Sequence, residues 1–130
     1  MNKNRIMFNN DDKNIIHLFA ELGMPMNLAK TLLYISKVDE CRSKDIENAT
    51  KLLQPQVSIA VQELQKKGWI KKQERKKKGK GRPVHYYHLN KSLLELLKIF
   101  ENEKNDEIEN IKKNLSELQQ LIATKEQQHL

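Results

Sequence analysis

From Asp11 onward, apolar residues recur at helical spacing. In DDKNIIHLFAELG, Ile15, Leu18, Phe19 and Leu22 fall three and four apart, which predicts an amphipathic helix with those four residues turned to a core. Asp11 or Asp12 is placed to cap its start and Gly23 to end it. NLAKTLLYISKVD predicts a second helix, capped by Asn27, with Leu28, Thr31, Leu32 and Ile35 along one face; Met24 and Met26 are expected to pack in the connection. SKDIENAT predicts a short third helix. Ser43 is its expected N-cap, Asp45 faces the positive helix end, and Ile46 and Ala49 point inward. QPQVSIAVQELQKKG predicts a fourth, with Pro55 at the first helical position. Val57, Val61 and Leu64 share its inner face and Gly68 closes it. The period then drops toward two. WIKKQER and VHYYHL alternate weakly, which predicts two strands joined by a Gly-containing basic loop. Trp69 is expected to anchor the helix–sheet junction, and one of Tyr86 and Tyr87 to face the core while the other lies on the sheet surface.

From Lys91 to the end the pattern is helical again. SLLELLKIF is densely apolar and is expected to pack on the preceding domain. Beyond it, Ile108, Ile111, Leu115, Leu118 and Ile122 alternate three and four apart, a seam of about two heptads. Projected backward, the seam meets Glu101 and Lys104, so a break or kink is expected near residues 101–106. Five seam residues cannot bury themselves alone. They need a partner helix, and another copy of the chain is the simplest candidate.

Charge sharpens this picture. The chain of 130 residues has a formal net charge of +7, by itself a weak pointer to an anionic partner. The distribution says more: residues 1–36 sum to +1, residues 91–130 to −2, and residues 37–82 to +8, most of it after Lys66. KKKGKGR, residues 76–82, packs five positive charges and two glycines between the two expected strands. Such focused charge is the electrostatic footprint of a nucleic-acid binder. Other chemistries find little support. Cys41 is the single cysteine, so an intrachain disulfide framework is excluded, and it is expected to be buried. His17, His85, His88 and His129 do not share ligand spacing with it, which argues against a structural metal. No nucleophile–base arrangement suggests an enzyme, and no glycine motif suggests a nucleotide cofactor. No apolar run reaches membrane-spanning length, and MNKNRIMFNN lacks a signal-type stretch; the sequence reads as cytoplasmic, with no membrane partner.

IENATKLLQPQVSIAVQELQKKGWIKK has the arrangement of a helix-turn-helix. Ile46 and Ala49 hold the first helix to the second, Leu52 fills the turn, and Val57, Val61 and Leu64 anchor the second helix. Gln54, Gln56 and Ser58 are left outside at its front, with Ile59 and Gln62 next along the exposed arc. Gln can pair bidentately with adenine and Ser can bond several bases in a major groove. The region around residues 15–90 resembles winged helix-turn-helix transcriptional regulators of the MarR and TrmB-like type, particularly small archaeal ones. ELGMPMNLAKTLLYIS resembles the opening helices of that family, IENATKLLQPQVSIAVQELQKKGWI its helix-turn-helix and the entry to the wing, and GRPVHYYHL its return strand. The resemblance implies an α+β winged helix-turn-helix domain followed by a long C-terminal helical extension. The expected divisions are an arm at 1–10, a DNA-binding domain at 11–90 and dimerising helices at 91–130. It also implies a homodimer on operator DNA, with helix 55–67 in the major groove, wing 76–83 at the minor groove, and transcription machinery as a further contact.

On that reading Gln54, Gln56 and Ser58 contact bases. Arg82 enters the minor groove, since a narrow A·T groove attracts Arg and GRP resembles the core of the AT-hook pattern. Lys76, Lys77, Lys78 and Lys80 bind the DNA backbone. Ile108, Ile111, Leu115, Leu118 and Ile122 dimerise. Lys51 stands in the turn where the family often has Gly, and Ile59 where a basic or polar residue is more usual. A non-specific architectural DNA binder and a winged-helix protein-interaction module are the alternatives.

Overall fold

The computed structural model describes residues 8–76 and 81–128. Its order is α1 (Asn10–Glu21), α2 (Met26–Ser36), α3 (Ser43–Thr50), α4 (Gln54–Lys66), β1 (Ile70–Arg75), β2 (Val84–Leu89) and α5 (Leu93–Gln128). It divides into two compact units, one up to Leu93 and one from Leu94.

In the first unit, α2 is the central helix. Leu28, Thr31, Leu32 and Ile35 are buried as their spacing predicts, and Ala29, Leu33 and Tyr34 are buried as well, so this helix is covered on most of its circumference. It packs against α1, α3 and α4. Burial, with Cys41 and Asp45 nearby, pushes the Tyr34 phenol well above its ordinary value, so it is a neutral core group. α4 contributes Val57, Ala60, Val61 and Leu64, and Trp69 and Tyr87 close the core from the sheet side.

The helix starts differ from the sequence reading. Asn9, not Asp11 or Asp12, caps α1: its side chain accepts from the Asp12 N–H at 2.9 Å, and the Asp12 carboxylate accepts from the Asn9 N–H at 2.8 Å. This reciprocal box satisfies two orphan donors at once. Asp12 also pairs with Lys37 at 2.9 Å; burial opposes its ionisation, but Lys37 and the Asn9 amide outweigh that and hold its pKa below the ordinary value. α2 starts after Pro25 rather than Asn27, because Pro already has a fixed φ near −65°. Ser43 is the first residue of α3 rather than its cap; Asp45 bonds back to the Arg42 N–H at 2.9 Å. Pro55 is the second residue of α4, not the first.

The inward face of α1 is also shifted. Ile16 and Phe19 are buried, whereas Leu18 and Leu22 are exposed. Met24 packs in the connection as expected but Met26 is exposed. In α3 Ile46 is buried and Ala49 only half so; Thr50 is buried instead. Its hydroxyl donates to the Ile46 carbonyl at 2.6 Å and accepts from the Leu52 N–H at 3.3 Å, so it satisfies the backbone at the turn.

β1 and β2 pair antiparallel from Ile70 opposite Leu89 to Arg75 opposite Val84. Cys41 adds a rung. Its N–H bonds to the Tyr87 carbonyl at 3.0 Å and its carbonyl accepts from the Tyr87 N–H at 2.7 Å. That ties the hairpin to the segment between α2 and α3 and leaves the Cys41 side chain buried. The base of the hairpin is closed by Asn90, whose N–H and side-chain amide donate to the Trp69 and Gly68 carbonyls, both at 2.9 Å.

The second unit is the helix α5. It runs unbroken through residues 101–106, against the expected break. Its span has neither Gly nor Pro, and polar residues in an apolar seam change what the surface offers, not the backbone. Lys104 supports this stretch from its own helix: its ammonium lies 5.2 Å from the centre of the Phe100 ring and 3.2 Å from the Glu107 carboxylate. Leu96 and Phe100 are its buried residues. Ile108, Ile111, Leu115, Leu118 and Ile122 are all exposed, as are Leu94 and Leu97. At a step of three and four those two leucines share the phase of the seam, so one stripe runs from Leu94 to Ile122 with Glu101 and Lys104 as its polar interruption.

Candidate nucleic-acid interface

α4 owes its shape to one apolar face and a well-made start. Val57, Val61 and Leu64 are buried with Ala60 beside them. With 3.6 residues per turn, Pro55, Ile59, Gln62 and Lys66 fall within about 60° of one another on the opposite side, and all four are exposed. The chain reaches α4 through Lys51, which takes φ 64° and is the single non-glycine with positive φ among the described residues. Its N–H donates to the Glu47 carbonyl at 2.9 Å. The turn is therefore made with a left-handed residue that is not glycine.

The three expected base-contact residues do not form one group. Gln54 and Gln56 lie about 160° apart around the helix. Gln54 and Ser58 line a polar groove of about 210 Å³ with Ser43, Gln62, Gln65 and Lys72. Gln56 lies on the other flank, in an apolar groove of about 310 Å³ with Pro25, Leu28, Ile59, Ala60 and Glu63. The Gln56 side-chain oxygen accepts from the Leu53 N–H at 2.8 Å. It caps its own helix, and bidentate pairing with adenine would require it to give up that bond. Gln65 and Lys72 were missed in the sequence reading. Gln54, Ser58, Gln62 and Gln65 run at steps of four, four and three, so this stripe was readable; Lys72 was not, because it reaches the groove through the fold.

Basic residues are exposed on α4 and on the hairpin. Lys66, Lys67, Lys71, Lys72, Lys76 and Arg82 are all exposed. Lys67 sits 5.3 Å from the centre of the Trp69 ring. Lys77, Lys78 and Lys80 lie outside the described residues, while Lys76 and Arg82 flank the described end of the hairpin. Arg75, the last residue of β1, has a different part. It makes a bidentate pair with Glu40 at 2.8 and 2.6 Å and lies 4.4 Å from the centre of the Tyr86 ring. Its charge is partnered, and it braces the hairpin against the segment before α3. Glu74 and His85, cross-strand partners, approach to 3.1 Å. Among the described residues, no group of three His, Cys, Asp or Glu side chains is placed to hold a metal ion, and no helix is long and apolar enough to cross a membrane.

Three packed helices, a turn through Lys51 into an exposed helix, and a hairpin with a basic end now stand together. A model of the MarR family matches residues 22–81. The chain carries a winged-helix domain. α3 and α4 are its helix-turn-helix, and β1 and β2 form the wing. The winged helix also resembles solved structures. One is that of TrmBL2, an archaeal chromatin protein, with 18% identity and a TM-score of 0.57 over 86% of this chain and 43% of that one. This chain thus spans less than half the length of TrmBL2. Another is NMB1585, a MarR family regulator from Neisseria meningitidis, with 15% identity and a TM-score of 0.48 over 87% of this chain and 88% of that one. No curated protein matches the sequence.

Proposed function

We propose that the protein is a sequence-specific, double-stranded DNA-binding transcriptional regulator that acts as a homodimer and catalyses no reaction. The observation that carries this reading is the polar groove of α4. Gln54, Ser58, Gln62 and Gln65 offer amide and hydroxyl groups in one row, ending on Lys72 of the wing. α4 enters the major groove with this row and its outward arc against base edges. Gln54 and Ser58 are base-contact residues; Gln56 contributes mainly by fixing the helix start. Arg82 enters the minor groove, and Lys76, Lys77, Lys78 and Lys80 bind phosphates, each adding about 0.9 to the salt slope of binding. Ile108, Ile111, Leu115, Leu118 and Ile122 pair with a second copy, which sets two recognition helices about 34 Å apart on a pseudo-palindromic site. Occupancy of that site then blocks or recruits the transcription machinery.

Architectural binding is the competing reading, favoured by the lysine-rich wing and by the fold likeness to an archaeal chromatin protein. Binding to a duplex enriched from a random pool, compared with its scramble, separates the two. A regulator prefers the enriched duplex by orders of magnitude, whereas an architectural protein holds both alike.

A further inference from the structure

Ile59 is apolar although little of it is buried. It is 64% exposed, and it stands on the outward arc of α4 beside Gln62 and Lys66. A β-branched residue is a poorer helix former than the Gln and Lys around it, so neither burial nor helix propensity accounts for it. Its side chain lines the apolar groove with Pro25, Leu28 and Ala60, yet most of it remains exposed. On the outward arc Pro55 stands one turn before it and Gln62 and Lys66 after it, so its exposed side chain offers an apolar contact beside the hydrogen-bonding residues of α4.

In a DNA major groove one base presents an apolar group at its edge, the C5-methyl of thymine. We infer that Ile59 is a specificity-determining residue that reads the methyl group of a thymine in each half-site. The inference rests on the reading that α4 enters the major groove, and it adds a base identity to it: a T·A pair opposite Ile59, beside the pairs reached by the Gln54–Ser58–Gln62 row. Removing the methyl and removing the isoleucine should then have the same consequence, and the two should not add. Leu53 is the other exposed apolar residue at the front of α4, at 69%. It precedes the helix rather than lying on its outward arc, which makes it the natural control.

The test uses the full chain and the duplex enriched from a random-sequence pool, with each thymine replaced in turn by deoxyuridine. Affinities are read by fluorescence anisotropy at one fixed salt concentration. The wild-type protein should lose about four-fold in Kd at one thymine per half-site, the effect of one buried methyl. Ile59→Ala should bind thymine and deoxyuridine duplexes alike, and Leu53→Ala should keep the wild-type penalty. Equal tolerance of deoxyuridine at every position in the wild type would overturn the inference, and so would a penalty that survives Ile59→Ala or disappears in Leu53→Ala. Enrichment of no sequence at all would remove specific reading by α4, and this inference with it.

Discussion

Lys51 carries a conformation that its side chain disfavours. A left-handed backbone costs a residue with a Cβ roughly 1–2 kcal/mol, and φ at Lys51 is 64°. Glycine would remove that strain but add about 0.5–1 kcal/mol of unfolded-state freedom. Lys51→Gly should therefore stabilise the domain by about 0.5–1 kcal/mol in urea unfolding, and a destabilised variant would show that the Lys side chain is needed at the turn. The family resemblance pointed to this position, where Lys stands in a turn that often has Gly, and the fold shows its left-handed backbone. The sequence did not show Asn9, Arg42 or Pro25 as the residues before their helices. Caps depend on which of several neighbouring polar groups closes a bond, and Asp11, Asp12, Asn27 and Ser43 were equally good on composition. Gln56 is the residue where this matters for function: its spacing puts it at the helix front, while its bond to Leu53 turns it back on the helix.

At the scale of elements, periodicity served best where one face is buried. The face of α4 was legible because Val57, Val61 and Leu64 recur at four and three; in α2 the expected face is buried, but so are Ala29, Leu33 and Tyr34, which the spacing did not show. α1 was misread by one position. Ile15 and Ile16 are adjacent, Leu18 and Phe19 are adjacent, and only packing decides that Ile16 and Phe19 go inside. In α5 the polar Glu101 and Lys104 interrupt the apolar seam but not the helix, so a gap in a seam is no sign of a helix end. The wing hides its support from sequence: Glu40 and Arg75 are 35 residues apart. Their bidentate pair, with Tyr86 against the guanidinium, holds the open end of the two-stranded sheet. Glu40→Gln should accelerate amide hydrogen exchange severalfold at Gln73–Arg75 and Val84–Tyr86, with α2 and α4 unchanged. Unchanged exchange in the hairpin would mean that the rung at Cys41 holds it alone.

Two features of the whole molecule bear on how it acts: exposed basic residues on the winged helix and an exposed apolar stripe on α5. The stripe from Ile108 to Ile122 exposes five large side chains, an apolar patch of the kind that marks an interaction site. Leu115→Lys, at its centre, should convert a dimer to a monomer by light scattering at micromolar concentration. A monomeric wild-type chain would instead leave the stripe to another protein. The same substitution should weaken DNA binding, since half-sites are then bound singly. The central claim is that α4 reads sequence and the wing supplies affinity. It is tested most directly by anisotropy at ~150 mM salt, close to physiological ionic strength, on the enriched duplex and its scramble. The wild type should prefer the enriched duplex by a factor of at least about 10³. Gln54→Ala with Ser58→Ala should erode that ratio, while Lys76→Ala should weaken both duplexes alike and lower the salt slope by about 0.9. A ratio near one for the wild type, or a ratio untouched by the helix substitutions, would contradict the account.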